Sequence, residues 1–167
     1  RVGSTAAKVD MLSWEMDFDL STRSGSVVLN LTLVPAASAL RAARSMVAVL
    51  DAGLGMGEFV ALFPPETQAG DVLIPSAQVG FGTICSITVN GILLNHRIPT
   101  VSRFGGVLEM RDRRPERFTD VIYYEGTSLD PLEIFIKAGL TRVTDVVAGR
   151  TGRIGAVCRM PAPPSIC

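Results

Sequence analysis

The hydrophobic positions of this chain recur with two periods, and the shorter one comes first. Trp14, Met16, Phe18 and Leu20 alternate with Glu15, Asp17 and Asp19, the period of two expected of a half-buried strand. Ser21 to Gly25 reads as a turn, and Val27, Leu29, Leu31 and Leu33 then line one side of a second alternating segment over 26–34. The two segments are expected to pair as a hairpin, and Pro35 ends the second strand.

Over 36–52 the period lengthens. Leu40, Ala43, Val47, Leu50 and Leu54 recur at helical spacing while Arg41, Arg44 and Asp51 project elsewhere, which predicts an amphipathic helix. Gly53 is placed for a left-handed C-terminal cap, and Gly55 and Gly57 allow a sharp return into a short apolar strand over 58–63. The result is a β-α-β unit. These three glycines are not read as a phosphate loop, because they follow a helix instead of leading from a strand into one. A loop at Pro64-Pro65 and Gly70-Asp71 and a short strand over 72–74 follow.

The stretch from Val79 to Gly106 predicts a central hairpin. Asn90-Gly91 lies between two runs of aliphatic and β-branched residues, and both residues tolerate the positive φ of a type I′ turn. That register sets Val89 opposite Ile92, Ile87 opposite Leu94 and Cys85 opposite His96. Gly80 and Gly82 flank Phe81, where a turn is the plainer reading than close approach of a partner. Pro99 marks a strand end or a sheet edge.

A further hairpin is expected from a strand over 107–111, a charged turn at 112–115 and a returning strand over 117–124. Asp130 as N-cap, Pro131 at the first helical position and Glu133 three residues after the cap predict a helix. Leu132, Phe135 and Ile136 form its buried face, and Gly139 closes it. Strands over 142–148 and 154–159 complete the reading. Eight or nine strands against two helices favour an α+β fold over a doubly wound sheet.

Composition narrows the function classes. With 167 residues, 47 % of them hydrophobic, the chain can bury a real core, and a single domain over 1–167 is expected. Sixteen basic residues balance sixteen acidic ones, so this chain offers no clustered basic surface for nucleic acid. No apolar run is long enough to span a bilayer and no signal peptide is recognised, which points to a cytoplasmic protein. Cys85, Cys158 and Cys167 are widely separated and odd in number, as expected of reduced thiols. A chain that starts at Arg1 and stops just after 161–164 (PAPP) reads as a domain excised from a longer protein.

Two side-chain groupings carry candidate chemistry. If Cys85 and His96 face each other across strands, the imidazole can generate a reactive thiolate; the plain alternative is a buried cysteine beside a structural histidine. One histidine and no close cysteine pair leave no zinc site. Glu109, Asp112, Glu125 and Asp130 show no spacing that selects an acid and base pair. Arg103, beside Phe104 and two glycines, can grip a carboxylate bidentately or take part in a surface ion pair.

Three segments, GFGTICSITVNGILL, IPTVSRFGGVLEM and YYEGTSLDPLEIFIKAGLT, together resemble the regulatory domain of archaeal nitrogen-regulation repressors of the NrpR type. The resemblance runs from about Gly25 to Cys158 and includes GSVVLNLTLVP and the following AGLG. It implies a two-layer, α/β-plait-like sheet with two main helices and inserted hairpins. It further implies an effector-sensing and oligomerising module that responds to 2-oxoglutarate, works as a homodimer, needs no other cofactor, and reaches DNA only through a flanking winged-helix domain that this chain lacks.

Under that resemblance, Thr83, Ser86, Ser102, Arg103, Thr127 and Ser128 are the candidate effector-binding residues, with His96 in reserve. A keto-diacid needs cationic and hydroxyl donors converging on its carboxylates. No residue is assigned a catalytic or metal-binding role. Two other classes stay open: a dimerisation module without a ligand, and a cysteine-dependent enzyme.

Overall fold

The computed structural model describes residues 4–161. In chain order it comprises α1 (Thr5–Glu15), β1 (Leu29–Pro35), a 3₁₀ turn (Ala36–Ser38), α2 (Ala39–Asp51), β2 (Val60–Phe63), β3 (Gln68–Ala69), β4 (Val72–Leu73) and β5 (Gln78–Ile84). There follow α3 (Ile87–Asn95), β6 (Thr100–Arg111), β7 (Arg114–Tyr123), a second 3₁₀ turn (Tyr124–Gly126), α4 (Pro131–Lys137), α5 (Val143–Val147) and β8 (Gly152–Pro161). The mixture of helices and antiparallel sheets is an α+β fold. The described chain gathers into two compact units, one of residues 27–85 and one of residues 4–26 with 86–161.

The unit of residues 27–85 is built on a three-stranded sheet in the order β1-β5-β2. Both outer strands run antiparallel to β5, so β1 and β2 are parallel to each other and α2 links them, the expected β-α-β unit with β5 placed between its strands. Gly53 caps α2 at φ 69°, with its amide on the Leu50 carbonyl and the Leu54 amide on the Val49 carbonyl. The helix nevertheless turns a different stripe inward than the sequence suggests: Leu40 and Val47 are 65 % and 53 % exposed. Gly80 and Gly82 lie within β5. A Cβ on Gly80 would stand 2.9 Å from the Ile74 side chain and 3.1 Å from Phe63, so the missing side chain is what lets the fully buried Ile74 settle on the sheet.

The other unit carries the sheet β7-β6-β8, with β6 in the centre. The β6–β7 hairpin closes through Asp112 and Arg113 at φ 50° and 61°, the paired left-handed residues of a tight primed turn, and its strands are longer than the hydrophobic pattern predicts. Helix α4 starts as expected: the Leu132 amide donates to Asp130 Oδ1 at 2.9 Å, and Pro131 occupies the first turn. Pro131 sits over Gly105, where a Cβ would come within 2.7 Å of it, and Leu132 sits over Gly155. Phe135 is buried as predicted, but Ile136 is 63 % exposed. Val9, Met16, Val107, Met110, Tyr124, Phe135 and Val146 form this unit's apolar core.

The predicted strand over 142–148 and the predicted central hairpin are helical in the structure, and a further helix precedes the predicted strand over 14–20, so five α-helices replace the expected two among the described residues. Within 142–148, Val143–Val147 form α5; Val146 is fully buried against Gly152, where only a glycine leaves room. The segment entering 14–20 belongs to α1, capped by Ser4 with Thr5, Val9 and Ser13 on its buried face, and Trp14 is 73 % exposed. The turn over 21–25 does form, through an isolated bridge between Asp19 and Ser24, but β1 pairs with β5 and not with the preceding segment.

The largest correction concerns the central hairpin. Asn90 and Gly91 are helical and buried in α3, so the type I′ turn does not form. Local preference yields to packing here: a Cβ on Gly91 would fall 2.2 Å from Met16 Sδ, so a bare backbone at this position admits the buried methionine at the end of α1. Cys85 and His96 are consequently not cross-strand neighbours. The Cys85 amide bonds the Val28 carbonyl at the end of β5, while His96 caps the far end of α3. Cys85 and Cys158 are reduced, and Cys167 lies outside the described residues.

Candidate functional site

Strand alternation would set Ser102 and Phe104 on one face of the sheet, and a bulge prevents it. Ser102 pairs with Arg159 and Phe104 with Cys158, so two steps along β6 match one along β8, with Arg103 as the extra residue. Gly105 pairs with Val157, two residues from Arg159 on the same side of β8. Ser102 and Arg159 therefore share the face that carries Gly105, the side on which α4 packs. Phe104 takes the opposite face, edge-on to Phe118 at 5.1 Å and to Tyr123 at 5.7 Å between ring centroids.

Helix α3 brings a matching polar group to Ser102. Asn90 is 4 % exposed and Ser102 is 7 % exposed, and Asn90 Nδ2 donates to Ser102 Oγ at 2.9 Å. The Arg159 guanidinium donates from Nε to Asn90 Oδ1 and from Nη2 to the Ser86 carbonyl. One half-buried cation thus ties the start of α3 and its middle to β8. Hydrogen bonds from a charged donor contribute about 1.5–3 kcal/mol each when well made.

Thr100 stands two residues before Ser102 and points to the same face, diagonal to Arg159 on the ladder. Its Oγ1 is buried and takes no hydrogen bond from any protein group. A buried hydroxyl left in that state costs about 1–3 kcal/mol. Asn90, Ser102, Arg159 and the Ser86 carbonyl thus form a hydrogen-bonded polar seam, with Thr100 on the same face of β6.

The candidate effector residues are distributed as follows. Ser102 joins this seam through its hydroxyl, and Ser86 through its backbone carbonyl. Arg103 points away from it and forms an ion pair with Glu125, Nη1 to Oε1 3.6 Å, the two side chains being 45 % and 73 % exposed; a pair so solvated contributes at most about 1 kcal/mol. Thr127 serves the local fold: its Oγ1 accepts from the Leu129 amide and its carbonyl accepts from the Thr5 amide. Ser128 and His96 are exposed, and Thr83 lies on β5 in the unit of residues 27–85, opposite Asn30 and Val60.

Asn90, Thr100 and Arg159 were missed by sequence reasoning. The sequence pattern places Asn90 in a turn. The available signal was a lone amide in the apolar run ITVNGILL, which needs partners if that run is buried. Among the described residues no group of three or more His, Cys, Asp or Glu is placed to hold a metal ion, and no helix is long and apolar enough to cross a membrane.

A family model described as NrpR regulatory domains NRD1 and 2 matches residues 2–163. The chain belongs to the NrpR regulatory-domain family. It is 29 % identical over 159 residues to the global nitrogen regulator NrpRI of Methanosarcina mazei, covering 95 % of this chain and 49 % of that protein. It is 30 % identical over 120 residues to the global nitrogen regulator NrpR of Methanococcus maripaludis, covering 72 % of this chain and 20 % of the relative. The crystal structure of a nitrogen repressor-like protein from Methanococcus jannaschii superposes with a TM-score of 0.70 at 25 % identity, over 83 % of this chain and 58 % of that one. This NrpR-family chain thus spans half or less of the curated relatives' length. Those relatives are named as regulators, not as enzymes.

Proposed function

We propose that this NrpR-family chain is the effector-sensing and oligomerising part of a nitrogen-regulation repressor, that its effector is 2-oxoglutarate, and that a flanking winged-helix domain contacts DNA. The observation that carries the reading is the regulatory-domain match over residues 2–163. The polar seam on β6 and β8 supports it, since hydroxyl, amide and guanidinium donors gather there as a keto-diacid requires. The charge balance also agrees, because a net-neutral chain leaves DNA phosphates to another domain. The protein acts in the cytoplasm, where both effector and operator are found. A thiol enzyme has no such support, since the hairpin register that would set Cys85 opposite His96 does not form, Ile87–Asn95 being helix α3.

Effector binding then works as a population shift within a homodimer: one arrangement binds 2-oxoglutarate better and changes the spacing of the DNA-binding domains. Driving such an equilibrium from 1:99 to 99:1 takes about 5.5 kcal/mol of differential affinity, so one small ligand gives a partial switch. The test is thermal unfolding with 2-oxoglutarate, with succinate and glutamate as controls, followed by calorimetry. At a hundredfold excess over Kd the native state gains about 2.7 kcal/mol, a rise in Tm on the order of 5 to 10 °C. Equal responses to all three acids, or none, overturn the reading.

A further inference from the structure

We propose that the outer face of the β7-β6-β8 sheet is where a second copy of this chain docks, an inference that rests on the homodimer reading above and names its interface. Three rungs of the ladder define the face. Phe104, Gly106 and Leu108 on β6 pair with Tyr123, Val121 and Phe118 on β7, and their partners on β8 are likewise uncharged. The bulge at Arg103 puts Phe104 on this side, away from Gly105 and the Pro131 ring packed over it. Helix α3 also reaches the Gly105 side, through the bond from Asn90 to Ser102. On the outer face Tyr123, Val121 and Phe118 remain 56 %, 44 % and 38 % exposed.

An antiparallel sheet that rests on helices with one face ordinarily turns polar residues to water on the other. Here the polar Ser102 and Arg159 lie on the helix side and the outer side is apolar, so the outer side is built to be covered. Three features select a second copy as the cover. A patch centred on the middle strand can meet its own image across a two-fold axis, the two sheets stacking about 10 Å apart. Sixteen basic residues balance sixteen acidic ones, so two copies meet without net repulsion, and Arg103 and Glu125 beside the patch give its rim both signs. Finally, three strands of ten to twelve residues offer a footprint of about 550 Å² per copy, roughly 1,100 Å² for the pair. That size falls at the low end of specific interfaces and fits a reversible dimer that dissociates in the micromolar range.

The test is sedimentation of the 167-residue chain from about 2 to 200 µM, beside Val121→Glu, Val121→Thr and, on the exposed side of α4, Ile136→Glu, with the Tm of each recorded. The wild type should pass from monomer to dimer across that range. Val121→Glu should stay monomeric, and Val121→Thr, which keeps the branched shape, should weaken the dimer about 3- to 10-fold. Ile136→Glu should dimerise like the wild type. Alkylation of Cys158, the partner of Phe104 on this face, should slow as the wild type is concentrated. That measurement and Val121→Thr decide the matter if Val121→Glu does not fold. If the wild type dimerises, both Val121 variants dimerise equally well and Cys158 labelling ignores concentration, this inference falls and the homodimer reading stands. A wild type that stays monomeric up to about 200 µM overturns both, and leaves the face to another segment of a longer protein.

Discussion

Asn90 of α3 donates a hydrogen bond to Ser102 of β6 at 2.9 Å across a sequence separation of twelve, both side chains buried. The same amide accepts from Arg159, so three elements meet at one side chain. Asn90→Ala should cost about 2–4 kcal/mol, because it removes at once the partner of the buried Ser102 hydroxyl and an acceptor of the Arg159 guanidinium. Urea unfolding of Asn90→Ala, Ser102→Ala and the double variant should show coupling of about 0.5–3 kcal/mol. Simple additivity would mean the bond contributes nothing.

Close packing of α4 on the sheet rests on Gly105. An added Cβ would lie 2.7 Å from the Pro131 ring and 3.4 Å from the Tyr124 hydroxyl, and a proline ring has no rotamer in which to retreat. Gly105→Ala should therefore destabilise by about 1–3 kcal/mol. Gly126→Ala, where nothing stands within 4 Å, should stay within about 0.5 kcal/mol of the wild type. Equal melting temperatures for the two variants would refute this packing argument.

Acid should loosen the turn that follows α1. The Ser26 hydroxyl and amide both donate to Asp17 Oδ1, at 2.6 and 2.7 Å, and together hold the Asp17 carboxyl below its ordinary range. A carboxyl whose folded pKa is depressed contributes stability above its unfolded pKa of about 3.9 and loses it as pH falls through the folded value. The contribution is thus complete at neutral pH and disappears on the acid side. Ser26→Ala removes the larger cause, so its Tm should fall less steeply than the wild type's between about pH 5 and pH 2. Parallel curves would show that Asp17 is not linked to folding.

The N-cap of α4 gives a local test. Asp130 Oδ1 accepts from the Leu132 amide at 2.9 Å at the start of a helix only seven residues long. Asp130→Ala should cost about 1 kcal/mol and Asp130→Asn much less, since an amide oxygen can also cap. Chemical denaturation of the two variants decides it, and equal losses would point to charge instead of the cap.

The features legible in the sequence are those that a short stretch enforces on itself. Asp130 and Pro131 start a helix, Gly53 and Gly139 end helices at φ 69° and 68°, and Asp112 with Arg113 closes a hairpin. Ring geometry, a side-chain cap and the absence of a Cβ act within a few residues, so no other part of the chain is needed. Family-level resemblance was legible too, because it is carried by long ordered segments and not by a single site.

Only the tertiary structure decided the fate of Asn90-Gly91 and the identity of the seam. In isolation that dipeptide favours a turn by a small margin, and the margin is overridden once Met16 occupies the space over Gly91 and Ser102 and Arg159 satisfy the Asn90 amide. The bulge at Arg103 is equally invisible to a period-two reading, since one extra residue exchanges the faces of Ser102 and Phe104. Sequence by itself determined the α+β class, the caps and the tight turns, whose forces are local. Which polar groups meet in the interior was decided by long-range packing, because a partner twelve or sixty-nine residues away leaves no periodic mark on the chain.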